Sequence, residues 1–354
     1  MSIGTNFREA LERSWRRPNG LTLALRPLSW LYRALYKLRG LGYRLGVFAS
    51  YRAPVPVLVI GNLTVGGTGK TPLVVHIINL LQQNGYTPGV ISRGYGGKSP
   101  GYPLLVNHTT PVHYSGDEPA LIVGRTLVDM VVGSDRKASI ESLLKINPEI
   151  DIIVSDDGLQ HLALQRDIEV CVMDATSPQT NQCLLPAGPY RESIARLDSV
   201  DIVVEHGLAD DINRSEGADK ELSRFAMNLR PQAPKLVASL SRLDQINSLD
   251  DSDSQEFNAS LNIHAVAGIG NPQRFFDTCE ALGYSLTKHA FADHHVYQKH
   301  EVVFADEPVL MTEKDAVKCQ DFADQRHWFL PVDATLSDEF NTELLARVAS
   351  VSKQ

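Results

Sequence analysis

VPVLVIGNLTVGGTGKTPLVVHIINLLQ, residues 55–82, carries three local patterns in succession. The apolar, β-branched run VPVLVI (55–60) predicts a buried strand, and LVVHIINLLQ (73–82) has helical character. Between them lies TVGGTGKTP (64–72). A phosphate-binding loop needs backbone N–H groups free to point at oxygens, a helix N-terminus behind them, and a lysine. Gly66, Gly67 and Gly69 supply the first, the helix starting near Lys70 the second, and Lys70 itself the third. Lys70 is the cation for the β- and γ-phosphates, and Thr71 places its hydroxyl on Mg²⁺. Thr64, Val65, Gly66, Gly67, Thr68, Gly69, Lys70 and Thr71 are therefore the candidate nucleotide-binding residues. The usual pattern, G-x-x-x-x-G-K-[ST], has glycine where this chain has Thr64, so Thr64 must avoid the left-handed backbone region.

The strand–helix pattern continues outward. Strand-like runs are TPGVIS (87–92), VDMVVG (128–133), DIIVSD (151–156), IEVCVMD (168–174) and DIVVEH (201–206), with helical stretches such as 71–83 and RKASIESLLKI (136–146) between several of them. Alternation of this kind predicts an α/β fold, a P-loop NTPase-like, mostly parallel sheet flanked by helices. Residues 207–262 are polar, with DDSDSQ (250–255) as a loop. A second series follows: HAVAGIG (264–270), a helix from Pro272 to Leu282, PVLMT (308–312), HWFLPVD (327–333) and a final helix near 337–350. The expected organisation is a basic amphipathic segment (1–53), a nucleotide-binding domain (54–205) and a smaller second α/β domain (206–354). The final helix is a candidate to pack back on the first domain. No repeat of fixed period occurs.

A nucleotide site also calls for an acidic group after a later strand. DIIVSDDGLQH (151–161) ends an apolar run in Asp156 and Asp157, where the carboxyl ends of parallel strands gather ligands. Either carboxylate can hold Mg²⁺ directly or through water, and Gln160 and His161 help to order the site.

The 354 residues, 43% of them hydrophobic, are enough to bury a substantial core. Cys171, Cys183, Cys279 and Cys319 form no C-x-x-C pair, which argues against a zinc site or a disulfide framework. The charge is uneven. Residues 1–53 hold ten Lys/Arg and only Glu9 and Glu12, a sum of +8, so the rest of this chain of net charge −8 carries −16. A basic head on an acidic body points to an anionic partner for the head. In PLSWLYRALYKLRGLGYRL (27–45), with Pro27 in a first helical turn, Leu28, Leu31, Leu35, Leu38 and Leu45 share an arc of roughly 100°. Arg26, Arg33, Lys37 and Arg44 cluster opposite, with Trp30, Tyr32, Tyr36 and Tyr43 between or near the arcs. Leucines down, cations up and rings at head-group depth describe a membrane-interface helix. The competing reading packs the leucines on the protein's own core. Gly40 and Gly42 weaken the helix late, which would set Arg44 and Leu45 in a second piece. No apolar run is long enough for a spanning helix, and no signal peptide is read. No nucleic-acid reader motif accompanies the basic residues, and no feature calls for an obligate protein partner.

VIGNLTVGGTGKTP, SRGYGG, SGDEP, DDGLQH, LLPAGPYRE, AGIGNPQRFF, FADHH and TEKDAVK occur in this order over roughly residues 25–335. This ordered set resembles the tetraacyldisaccharide 4′-kinase (lipid A 4′-kinase) family, whose phosphate loop is similar at the position of Thr64. The resemblance implies transfer of the ATP γ-phosphate to the 4′-hydroxyl of a tetraacylated disaccharide 1-phosphate, at the cytoplasmic face of the bacterial inner membrane. The product would be lipid IVA. Because an acylated substrate stays in the bilayer, the protein would be peripheral or monotopic there. The same resemblance implies Asp117 in SGDEP as the base for a weakly nucleophilic hydroxyl, paired with His294 in FADHH, with His295 as an adjacent rival. From sequence position alone, Asp117 equally fits a helix start before Pro119. Closure of the second domain on the first is expected to bring Asp117 and His294 together.

Glu118 is a further candidate metal ligand, and Arg93 and Arg191, with Gln160 and His161, are candidate substrate contacts. Lys314 and Lys318 face either the anionic substrate or solvent, and AGIGNP (267–272) is a turn into a helix capped by Asn271. Two positions depart from the family's common pattern: Tyr190 replaces leucine, where a change in acyl or sugar contact is expected, and Ala292 replaces proline. The alternatives are a GTPase or metallochaperone-like switch, suggested faintly by T-x-K-D within TEKDAVK, and a nucleotide-dependent membrane adaptor that needs no base.

Overall fold

In the computed structural model, residues 3–176, 181–207, 223–240, 257 and 262–352 are described. The loop expected at 250–255 lies outside them. The chain forms two compact units, each assembled from separated segments. The first comprises Met1–Lys70, Ile150–Asn228 and Thr335–Gln354, and the second Thr71–Glu149 and Leu229–Ala334. These units interleave along the chain, whereas the sequence suggests contiguous boundaries near 53 and 205. Composition is blind to a chain that leaves a unit and returns to it.

The first unit opens with helices α1 (Ile3–Arg16) and α2 (Gly20–Arg44). Strand β1 (Val57–Asn62) follows, and the first residue of helix α3 (Lys70–Gln83) closes the segment. The chain passes through the second unit with β2 (Pro88–Ser92), β3 (Leu104–Val106), α4 (Val112–Ser115), α5 (Asp117–Thr126), β4 (Asp129–Val132) and α6 (Arg136–Ile146). It returns with β5 (Ile152–Asp156), β6 (Ile168–Asp174), β7 (Ile202–His206) and β8 (Ser223–Pro231). Paired neighbours run in the order β8-β7-β6-β1-β5, all parallel. Every residue of β1 and β5 is buried, so both read as continuous apolar runs without alternation. Register sets Ile60 beside Asp156, which brings the acidic end of β5 next to the start of the glycine loop.

Helix α2 begins seven residues before the expected first-turn Pro27, because Asn19 and Thr22 form a capping box. Pro27 therefore lies inside the helix. Arg44 is the last helical residue and Leu45 its cap, so no second piece begins there. The helix has three faces. Ser29, Tyr32 and Tyr36, spaced i, i+3, i+7, turn toward residues 184–192. The cations form a second face, and the third is apolar and outward: Leu28, Leu31, Leu35 and Leu38 are all more than half exposed, as is Trp30. The leucines therefore do not pack on the protein's own core. Tyr32 and Tyr36 are corrected from interface rings to body contacts.

The second unit carries β2-β4-β3, with β2 parallel and β3 antiparallel to β4. Its other elements are β9 (Lys235–Leu236), β10 (Asn262–Ala267), α7 (Pro272–Ala281), β11 (Ser285–Ala290), β12 (Val309–Thr312), α8 (Glu313–Cys319) and β13 (His327–Leu330). They build a sheet of order β11-β10-β12-β13-β9, parallel except at β9. Alternation along β10 sends Ile263, Ala265 and Ala267 toward Phe275, Phe276 and Cys279 of α7, and Val266 toward Ala316 and Cys319 of α8. Strand β14 (Val332–Thr335) ends this segment, and the final helix α9 (Asp338–Val351) belongs to the first unit. There Phe340 meets Phe225 edge-on, and Arg347 pairs with Asp201 at 3.3 Å.

Candidate active site

The loop between β1 and α3 is held from outside. The Val65 N–H donates to the Pro189 carbonyl (2.9 Å), that of Arg191 to Leu63 (2.7 Å), and Thr64 bridges Tyr190 antiparallel. Thr64 is therefore extended, and the left-handed turns fall on Gly66 (φ 117°) and Gly69 (φ 84°). That is why a hydroxyl residue suffices at the first position of the motif. A side chain on Gly69 would also press on Met227, whereas Gly66 and Gly67 have open space where a Cβ would point, as a phosphate approaching the backbone requires. Asn62 Nδ2 donates to the Thr68 hydroxyl across the loop (3.1 Å). Tyr190 is fully buried behind the loop, so the substitution of leucine there supports the loop rather than meeting acyl chain or sugar.

Lys70 Nζ donates to Asp157 Oδ1 at 2.5 Å, and Arg191 Nη1 reaches both carboxylate oxygens at 3.1 and 3.0 Å. Burial alone would push the Asp157 carboxyl up, but the two cations outweigh it and hold the group at about 2. Asp157 is itself left-handed, φ 49°, a conformation that a non-glycine residue keeps only when its surroundings fix it. Asp156 is buried at the end of β5, and Thr71 is buried in the first turn of α3. Gln160 Nε2 donates to the Asn62 carbonyl (3.1 Å) and to Glu192 (2.8 Å), and its Oε1 accepts from Arg191 (3.3 Å). His161 lies in the following turn, where its carbonyl accepts from Arg166.

The second unit holds another arrangement. Gly116 (φ 92°) turns the chain into α5, where a Cβ would collide with the Tyr95 carbonyl. Asp117, 6% exposed, then stands at the first position of the helix. Its Oδ1 accepts from the Glu118 N–H (2.9 Å), and its Oδ2 pairs with His294 Nδ1 (2.9 Å). His294 is left-handed as well (φ 60°), and the Tyr95 ring lies 5.2 Å from its own. Burial raises the Asp117 carboxyl, but the His294 bond and the Lys314 charge together bring it below its ordinary value. The same bond raises His294. His295 instead meets Glu301 at 3.1 Å. Both members of the Asp117–His294 pair belong to one unit, so their meeting needs no domain closure.

Glu118 is held by Lys314, and Glu313 by Arg125 at 3.1 Å. Asp315, wholly buried, accepts from the Gly268 N–H (2.9 Å) and the Thr312 hydroxyl (2.6 Å), and Lys318 pairs with it at 2.7 Å. Lys314 and Lys318 thus face internal carboxylates, not solvent. The T-x-K-D residues are engaged internally too, which leaves the guanine-reading alternative without its motif. Arg93 is exposed after β2. Asn271 stands before α7 without a side-chain cap bond. Among the described residues, no three His, Cys, Asp or Glu side chains converge as a metal cage.

A parallel sheet with a glycine loop and lysine at one helix start, and a buried Asp–His pair at another, defines an α/β phosphotransferase of the P-loop class. The model of the family described as LpxK, tetraacyldisaccharide-1-P 4′-kinase, matches residues 21–349. The chain belongs to that family. It is 42% identical over 353 residues to the tetraacyldisaccharide 4′-kinase of Methylobacillus flagellatus, covering 99% of each chain. With the enzyme of the same name from Shewanella baltica it shares 44% over 341 residues, covering 96% of this chain and 94% of the other. The crystal structure of LpxK from Aquifex aeolicus in complex with ATP is similar at TM-score 0.75 and 25% identity, over 93% of this chain and 99% of that one.

Proposed function

We propose that this protein transfers the γ-phosphate of ATP to the 4′-hydroxyl of tetraacyldisaccharide 1-phosphate, in the making of lipid A. The observation that carries the reading is the coexistence of a phosphate loop headed by Lys70 with a buried Asp117–His294 pair. The loop residues 64–71 cradle the phosphates through their N–H groups, and Lys70 exchanges Asp157 for a phosphate oxygen. Asp117 accepts the hydroxyl proton through a lone pair left by its two present bonds, and His294 fixes its orientation. In the transfer, the 4′-oxygen bonds to the γ-phosphorus as the bond to the β–γ bridging oxygen breaks. The proton moves to Asp117, and ADP leaves. Thr71, Asp156 and Asp157 offer the few hard oxygens that Mg²⁺ takes when phosphates and water complete its shell, and the ion would neutralise phosphate charge. Glu118, engaged by Lys314, stands as an outer contributor. Arg191 holds Asp157 and Gln160 bonds to Arg191, so both act at the phosphate end, while Arg93 and His161 remain candidates for substrate contact.

Among the described residues no helix is long and apolar enough to cross a membrane. The outward leucines and neighbouring cations of α2 support a peripheral seat on the cytoplasmic leaflet of the inner membrane. The test follows ³²P from γ-labelled ATP into tetraacyldisaccharide 1-phosphate in mixed micelles with Mg²⁺. Transfer by the wild type and its collapse in Asp117→Ala are expected. Wild-type protein that binds ATP but transfers nothing would favour the adaptor instead.

A further inference from the structure

Glu192 is a buried carboxylate that the transfer chemistry does not use. It is 1% exposed, yet three donors from separate parts of the first unit converge on it. The Tyr36 hydroxyl of α2 donates to Oε2, Gln160 Nε2 to Oε1 at 2.8 Å, and Arg196 Nε lies 3.4 Å from Oε2. A buried charge is tolerated only when paired and hydrogen-bonded in this way. The bonds continue beyond it. With both amide hydrogens of Gln160 committed to Glu192 and the Asn62 carbonyl, only Oε1 remains to face Arg191. Arg191 holds Asp157, and Asp157 holds Lys70. An unbroken polar chain therefore runs from the helix with outward leucines to the lysine of the phosphate loop.

The same helix is fastened to the same segment by bonds outside this chain. Ser29 Oγ donates to the Leu184 carbonyl (2.7 Å) and accepts from the Ala187 N–H (3.0 Å). The Tyr32 hydroxyl donates to the Arg191 carbonyl (2.9 Å), which fixes backbone but not the guanidinium. Of these fastenings, only Tyr36 ends on a group that orients a side chain at the phosphate site.

We infer that Glu192 and Tyr36 are positioning residues: through Gln160 they set Arg191 and Asp157, and so tie the Tyr36 contact of helix α2, rather than the helix's hold as a whole, to the affinity of the phosphate site for ATP. The inference rests on the kinase reading above. Were Glu192 only a structural bond, loss of the Tyr36 donor would lower the amount of folded enzyme and leave the constants of the remainder alone. As a positioning residue, it acts on ATP selectively.

The experiment measures kcat, KM for ATP and KM for tetraacyldisaccharide 1-phosphate on the full chain in mixed micelles, for wild type, Tyr36→Phe, Glu192→Gln and Ser29→Ala. Tyr36→Phe keeps the ring and removes one donor. It should raise the KM for ATP roughly threefold to tenfold, the worth of one hydrogen bond. Its kcat should stay within about twofold, with the KM for the lipid unchanged. Glu192→Gln should act in the same direction and more strongly, because its amide N–H₂ opposes existing donors. Ser29→Ala loosens the helix outside the chain and should leave the KM for ATP at the wild-type value. An unchanged KM for ATP in Tyr36→Phe overturns the inference, and so does an equal rise in Ser29→Ala. A wild type that transfers no phosphate defeats the kinase reading itself, a result separable from either.

Discussion

Replacing Leu31, Leu35 and Leu38 together by glutamine should detach the protein from membranes without unfolding it. These side chains are 54%, 58% and 63% exposed, so more than half of their apolar surface is still to be buried. Full burial of a leucine contributes about 1.5–3 kcal/mol, so entry into lipid should add roughly 1–1.5 kcal/mol for each of the three. The triple variant then loses about 3–4.5 kcal/mol, a fall of two to three orders of magnitude in the vesicle partition coefficient. The assay is flotation with vesicles of phosphatidylcholine and phosphatidylglycerol, beside a thermal melt. Because the three positions face outward, the melting temperature should stay within about 2 °C. Salt separates the two contributions of the helix. Arg26, Arg33, Lys37 and Arg44 supply about 1 kcal/mol each near an anionic surface, a share that salt screens, whereas the leucine share persists. Flotation equal to wild type would refute the membrane seat. A fall of many degrees in melting temperature would mean that the leucines pack internally.

Four further outcomes are expected. Asp117→Ala should lower kcat by about a hundredfold to ten-thousandfold, with ATP binding by calorimetry unchanged. His294→Ala should move the acid limb of kcat/KM to higher pH, because burial keeps pushing the Asp117 carboxyl up while its main counterweight is gone. The pair also stabilises the fold within a pH window. Asp117, below its ordinary 3.8, contributes above that pH and loses its share as pH falls through the lower folded value. His294, above its ordinary 6.5, contributes below that pH and loses its share as pH rises through the higher one. Urea melts of His294→Ala should therefore differ most from wild type between these two ordinary values. Lys70→Met should destabilise the nucleotide-free protein by about 1–2 kcal/mol at neutral pH, after discounting for a carboxylate nearly a third exposed. The loss should fade in melts taken as pH falls from 3.8 through about 2, the value at which Asp157 is held.

What the sequence discloses divides along a physical line. Elements fixed by local periodicity were legible: β1, β5 and β6 from apolar runs, α6 to the residue, and the loop from its glycines and lysine. Asp117 and His294 are legible only through the family resemblance that the ordered motifs carry, and the structure sets them 2.9 Å apart. Contacts between distant segments were not legible. The first seven residues of α2 are hidden because Pro27 is a stronger local signal than the Asn19–Thr22 box. Helical angles told which residues share a face of α2, but not that two tyrosines on it have partners at Arg191 and Glu192. Likewise the charges of TEKDAVK look solvated until Glu118, Arg125 and Gly268 are brought to them. Thr64 shows the division within one residue. Read along the chain it is a defect in a phosphate loop. Its tolerance is decided by Tyr190, which bridges it in extended form while the left-handed turns pass to Gly66 and Gly69. The motif's first glycine is thus one solution to a backbone problem, and a strand laid alongside the loop is another. A search that demands the glycine tests for the first solution and misses the second.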